Sequence, residues 1–123
     1  MRPFIVLWIL VLTSASLAPW IVKFRLGVNG PAHDLWHFTA FLLTALAFSN
    51  GPGKVRGKVL RCAAAITLAA VLETAEVVCY HIRFEWRDVA VDSLGAVAGL
   101  TILIFRHVWS ATSHRPSSSW SPD

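Results

Sequence analysis

The sequence predicts an all-α fold, a bundle of four transmembrane helices with both termini on the cytoplasmic side. Composition is the first observation. Hydrophobic residues make up 55% of the 123 residues and charged residues 15%, whereas soluble domains carry about 45–50% apolar and about 25% charged residues. The second is four apolar segments joined by short polar connectors. The third is aromatic placement. Four of the six tryptophans, Trp20, Trp36, Trp86 and Trp109, fall at or near segment ends, where membrane proteins place them at the water interface. A soluble four-helix bundle competes, and the composition weighs against it.

The first segment, about Pro3 to Val22, has twenty residues and no charge, enough to span a bilayer. It also reads as a signal peptide, with Met1-Arg2 as n-region, Phe4 to Leu12 as h-region and Ser16-Leu17-Ala18 as a cleavage site. The apolar run continues through Trp20-Ile21-Val22, which favours a retained helix. The second segment, about Asp34 to Ser49, is short and is closed by Asn50-Gly51-Pro52-Gly53. The third, about Val59 to Tyr80, is rich in alanine. The fourth runs from about Asp88 to Trp109. Residues 1–109 thus form one membrane domain, and 110–123 form a Ser/Pro-rich tail expected to be disordered. Cys62 and Cys79 lie 17 positions apart, ~25 Å on one helix, too far for a mutual disulfide. No metal-binding spacing and no cofactor motif is read.

The net charge of +4 does not indicate nucleic acid, because the basic residues form no stripe with interleaved aromatics. They report orientation instead. Arg2, Lys54, Arg56, Lys58, Arg61, Arg106 and Arg115 fall on one side; Lys23, Arg25, Arg83 and Arg87 fall on the other. The larger set marks the cytoplasm. Six of the seven acids then lie externally, all but Asp123.

Glu73, Glu76, Asp88 and Asp92 lie within or at the mouths of apolar segments. A charge near the bilayer centre costs roughly 2.5–3.5 kcal/mol on insertion scales, so such acids are expected to face a bundle interior. Glu73, Glu76 and Tyr80 share one helix face, as do Asp88, Asp92, Gly95 and Gly99. The Gly95-x-x-x-Gly99 pair permits close helix packing. Glu73 is expected ~12 Å from the helix exit, so its charge needs a partner. Arg83 and Arg87 are the candidates, the choice between them open, with a second carboxylate from Asp88 or Asp92 sharing the guanidinium. Asp34 and Glu85 read as solvated helix-end charges. His37 is an interfacial hydrogen-bonding residue or, with Glu73, a catalytic acid/base candidate.

Taken in order, these residues resemble the VanZ-like family of small bacterial membrane proteins over about residues 33–99. The family pattern is Asp-Lys-x-x-His-Phe, then Glu-x-x-Gln, an Arg-containing connector, and Asp-x-x-x-Asn-x-x-Gly-x-x-x-Gly. Here His37-Phe38 matches without the Asp-Lys pair, and Asp34 stands one position off the family Asp. Glu73 matches, with Glu76 in the Gln place. Asp88, Gly95 and Gly99 match, with Asp92 in the Asn place. The resemblance implies a place in the bacterial cytoplasmic membrane and a cell-envelope role on its outer side. The family's association with glycopeptide resistance is not carried over.

Three functions follow as expectations. The first is a non-enzymatic envelope protein whose cluster of His37, Glu73, Glu76, Arg83, Arg87, Asp88 and Asp92 binds a lipid, a lipid-linked cell-wall precursor or a membrane-protein partner. The second is an enzyme acting on a lipid-linked substrate through Glu73 and His37, although no nucleophile, phosphate loop or metal signature accompanies them. The third is a proton or ion pathway in an oligomer.

Overall fold

The computed structural model describes residues 3–27, 30–49 and 54–113. Among them it contains five helices and no strand: α1 (Pro3–Ser16), α2 (Trp20–Arg25), α3 (His33–Ser49), α4 (Val55–Tyr80) and α5 (Trp86–Ser113). Two of these, α4 and α5, are long and apolar enough to cross a membrane. The Asn50-Gly51-Pro52-Gly53 stop and the tail beyond Ser113 lie outside the described residues, and residues 110–113, expected in the tail, extend α5.

The first apolar segment is not one helix through Val22, and this corrects the sequence expectation. α1 ends at Ser16 and α2 starts after Pro19. Proline lacks the N–H a continuing helix needs and disfavours helical geometry in the residue before it. The chain closes there with Leu17 N–H on the Thr13 carbonyl at 2.9 Å and Ala18 N–H on Ala15 at 3.3 Å. α2 then restarts with Val22 N–H on the Pro19 carbonyl at 2.8 Å. At 14 residues, α1 is ~21 Å long, shorter than a ~30 Å hydrocarbon core.

The centre of the fold is the contact between α3 and α5. A Cβ on Gly95 would overlap the backbone carbonyl of Phe38, and one on Gly99 would lie 2.8 Å from the Leu42 carbonyl oxygen and 2.9 Å from the Ala45 Cβ. Only the missing side chains let the two backbones meet. α4 covers one side of this pair. Ala45 (α3), Cys62 and Ala65 (α4) and Ala96 (α5) form one buried cluster, small residues throughout. Nearer the other end, Leu12, Phe41, Ala69 and Leu72 form a second cluster, which admits α1. The Trp8 indole N–H also donates to the Thr44 hydroxyl at 2.9 Å, and that hydroxyl donates to the Ala40 carbonyl at 2.7 Å.

Large apolar side chains lie on the outside of the bundle, and several polar ones are sheltered beside the apolar clusters. Phe4, Leu7, Leu10, Leu60, Val71, Val78, Leu94 and Phe105 are exposed, while Glu73, Asp88, Asp92, Lys58, Thr44 and Ser49 are buried. Trp20, Trp36, Trp86 and Trp109 all point outward. Cys62 and Cys79 are both free, the first buried and the second exposed.

The packing yields a direct expectation. Gly95→Ala should destabilise the protein by about 1–3 kcal/mol through overpacking against Phe38. Val97→Ala, on the exposed side of the same helix, should change stability by under about 0.5 kcal/mol. Equilibrium unfolding in mild detergent measures both.

Candidate functional site

Two helix ends and one helix corner build the site. α4 ends at Tyr80, capped by His81 in the left-handed region (φ 55°) with its N–H on the Val77 carbonyl at 2.9 Å. This turn sends the chain across the end of the bundle, so that α5 begins six residues later at Trp86. Glu85 supplies its carbonyl to the first turn of α5, accepting from the Asp88 N–H at 3.0 Å. Its own N–H donates to the Glu73 Oε1 at 2.7 Å. A carboxylate from the preceding helix therefore satisfies the backbone donor that opens the next one, the job a capping-box side chain does locally.

Along the α3–α5 seam, helical spacing sets two histidines against two aspartates. His33 and His37 are one turn apart on α3, and Asp88 and Asp92 one turn apart on α5. His33 Nε2 lies 3.1 Å from Asp88 Oδ2, and His37 Nδ1 lies 3.0 Å from Asp92 Oδ1. His37 Nε2 also faces Asp88 Oδ2 at 3.9 Å, and the two imidazole centroids are 4.5 Å apart. Asp88 lies in the first turn of α5, where the helix dipole favours negative charge. Both aspartates are nearly inaccessible, at 7% and 4% exposure, so the imidazole contacts replace water as their partners.

The α1–α2 corner closes the third side. Lys23 forms an ion pair with Glu76 Oε2 at 2.8 Å, the Ser16 hydroxyl donates to Glu76 Oε1 at 2.5 Å, and the Tyr80 hydroxyl donates to the Leu17 carbonyl at 2.6 Å. Glu76 and Tyr80, one turn apart on α4, thus clamp the corner that Pro19 creates.

Two cavities adjoin these groups. One, of about 480 Å³, is lined by Glu73, Glu76, Glu85 and Asp88 together with Lys23 and His33. The other, of about 350 Å³, has more apolar walls, including Leu12, Phe41 and Leu72. It shares Lys23, His33, Glu73 and Glu76 with the first and adds His37 and Asp92.

The structure brings His37, Glu73, Glu76, Asp88 and Asp92 to one end of the bundle. It does not bring the arginines. The exposed Arg87 pairs at 2.5 Å with the half-buried Asp34, and Arg83 makes no ion pair among the described residues. The expectation that an arginine holds Glu73 is therefore corrected: its partner is the Glu85 N–H. The connector runs across the helix end with its backbone toward Glu73, and the Arg87 side chain turns back toward α3. Gly95 and Gly99 lie against α3, as described above. Glu73 and His37, the acid/base candidates, line the same cavity, but each is bonded to a different group.

Sequence reading missed His33, Lys23 and Ser16. His33 carried a signal, because it stands at i, i+4 with His37 and shares its helix face. Lys23 and Ser16 carried none: Lys23 reaches Glu76 only through the turn at Pro19, and Ser16 only through the packing of the end of α1 on α4. Comparison of the chain with protein-family models, curated proteins and solved structures found no match.

Removing groups around Glu76 and Glu73 should separate these partners. Lys23→Met should destabilise by roughly 1–3 kcal/mol, with a coupling energy to Glu76→Gln of at least about 0.5 kcal/mol in a double-mutant cycle. Arg83→Ala should stay within about 0.5 kcal/mol of the parent. A large loss in Arg83→Ala would restore the arginine as the partner of Glu73.

Proposed function

We propose that this chain is a multi-pass protein of the bacterial cytoplasmic membrane, with both termini inside. In this reading the carboxylate–histidine end faces outward and binds an amine-bearing headgroup of an envelope amphiphile. The observation that carries the ligand reading is the pair of adjoining cavities. The larger is ringed by four carboxylates, and the smaller runs down between apolar walls from α1, α3 and α4. A polar chamber above an apolar one matches an amphiphile, headgroup above chain. The charge balance favours a cation: Glu76 is matched by Lys23, but Glu73, at 7% exposure, has no cationic partner among the described residues. An ammonium group seated there would replace the missing countercharge and donate up to three hydrogen bonds.

The membrane reading rests on the two long apolar helices, the outward apolar faces and the tryptophans. Trp86 and Trp109 are 23 residues apart on α5, ~35 Å of helix. That spacing suits one at each interface of a bilayer whose hydrocarbon core is ~30 Å. α1 and α3 fall short of a full span and would cross beside α4 and α5, which hide their polar faces. The orientation rests on the excess of lysine and arginine at the start of α4. The resemblance to VanZ-like proteins in the order of His37, Glu73, Asp88 and the glycines fits an envelope role.

Topology is tested with cysteines introduced into a background lacking Cys62 and Cys79, since buried Cys62 would escape a reagent on either side. Arg83→Cys should be labelled by a membrane-impermeant thiol reagent in spheroplasts, and Arg56→Cys only after permeabilisation. The opposite pattern would reverse the orientation.

The ligand is tested by titrating detergent-solubilised protein with phosphatidylethanolamine and phosphatidylglycerol of matched chains, in excess chelator. The amine lipid should bind about tenfold more tightly or better, and Glu73→Gln should remove that preference, as expected for one charge-assisted hydrogen bond. Equal affinity for the two headgroups would exclude the reading.

A further inference from the structure

We infer that His33, His37 and Asp88 form a binding site for a divalent transition metal of the Zn²⁺ class, with Asp92 orienting His37 from behind. One ligand atom from each of the three residues lies within 4.8 Å of the other two. His33 Nε2 and His37 Nε2 both approach the same oxygen, Asp88 Oδ2, at 3.1 and 3.9 Å. Ligand atoms bound at 2.0–2.1 Å in a tetrahedral zinc site stand ~3.3 Å apart. Small rotations of the three side chains would close the set around an ion.

The arrangement of His37 points independently to a cation. An ionised carboxylate only accepts hydrogen bonds, so at 3.0 Å the Nδ1–H of His37 donates to Asp92. With the ring neutral, that leaves the Nε2 lone pair facing the Asp88 carboxylate, two acceptors across a 3.9 Å gap. A cation between them removes the conflict. Carboxylate–histidine–metal relays have this form, the outer carboxylate fixing the tautomer and raising the basicity of the ring. The two histidines reach the ion from successive turns of α3, a rigid helix locked to α5 by Gly95 and Gly99, so the set is held by packed backbone rather than by a loop.

Two imidazoles and one carboxylate leave at least one coordination position open, the pattern of catalytic rather than structural zinc sites. His33 lines both cavities, so the open position borders the space that a ligand would enter. Two imidazoles and a carboxylate also accept Fe²⁺, with Zn²⁺ favoured by intrinsic affinity. The inference stands on these side chains alone and does not require the amphiphile reading. A failure of either leaves the other standing, because the lipid titration is done in chelator and the metal titration without lipid ligand.

The test is a Zn²⁺ titration of the chelator-stripped full chain in detergent against a competing metal indicator, with Co²⁺ as a spectroscopic substitute. The expected result is one Zn²⁺ per chain and Co²⁺ absorption of the intensity given by four- or five-coordinate sites. His33→Ala and His37→Ala should each weaken binding at least about tenfold, and Asp92→Asn by about 10–100-fold, the usual cost of losing an outer-shell partner. His107→Ala should leave it unchanged. Circular dichroism checks that each variant is folded. If His37→Ala unfolds, His33→Asn, at a more accessible position, gives the same reading. A folded parent protein that binds no stoichiometric Zn²⁺ would overturn the inference, as would binding that survives both folded histidine variants. In that case a proton on His37 fills the gap to Asp88.

Discussion

The close approach of α3 and α5 is the constraint on which the site depends. Gly95 and Gly99 remove the side chains that would hold the helices apart, and the carbonyls of Phe38 and Leu42 occupy that space. One turn before Gly95 stands Asp92, and one turn before that stands Asp88. Because the helices touch at the glycines, their next turns toward the helix ends remain close enough for an imidazole to reach a carboxylate. The register that fits glycine to backbone is therefore the register that sets His37 against Asp92 and His33 against Asp88. A larger residue at position 95 would disturb both the packing and the pairs.

The bundle then solves its remaining electrostatic problem locally. Burying a carboxylate is costly unless its oxygens find donors. The four buried or half-buried acids do so in three ways: Asp88 and Asp92 use imidazoles, Glu76 uses an ammonium and a hydroxyl, and Glu73 uses a backbone N–H. The last is the weakest match for a full charge. The break at Pro19 belongs to the same solution. Without it α1 would continue past the bundle end, and Lys23 would not fold back onto Glu76. The packed helices shelter these acids and their partners, while large apolar side chains of every helix lie on the outside.

Much of this was legible in the sequence because it follows helical periodicity. The spacing of Glu73 and Glu76, and of Asp88, Asp92, Gly95 and Gly99, places each set on one face whatever the neighbours are. The glycines' contact with α3 and the gathering of acids at one end depend only on those faces and on short connectors. The partners were less legible because they depend on how the chain turns. Arg83 and Arg87 are the next arginines after Glu73 in sequence, yet the connector meets Glu73 with the Glu85 N–H, and Arg87 turns to Asp34. Lys23 is 53 positions from Glu76 and reaches it only because a proline interrupts an otherwise uniform apolar run. His33 could have been found by its spacing from His37, but a reading anchored on His37-Phe38 passed over it.

The most direct test of this account is the distance between imidazole nitrogen and carboxylate carbon across the α3–α5 seam, measured by dipolar recoupling in lipid bilayers. The protein would carry ¹⁵N-histidine and ¹³C-carboxylate aspartate. The account predicts short contacts for both His33–Asp88 and His37–Asp92, each removed by substituting its own histidine. Intact helices with neither contact would mean that α3 and α5 meet in another register, and the site described here would not exist.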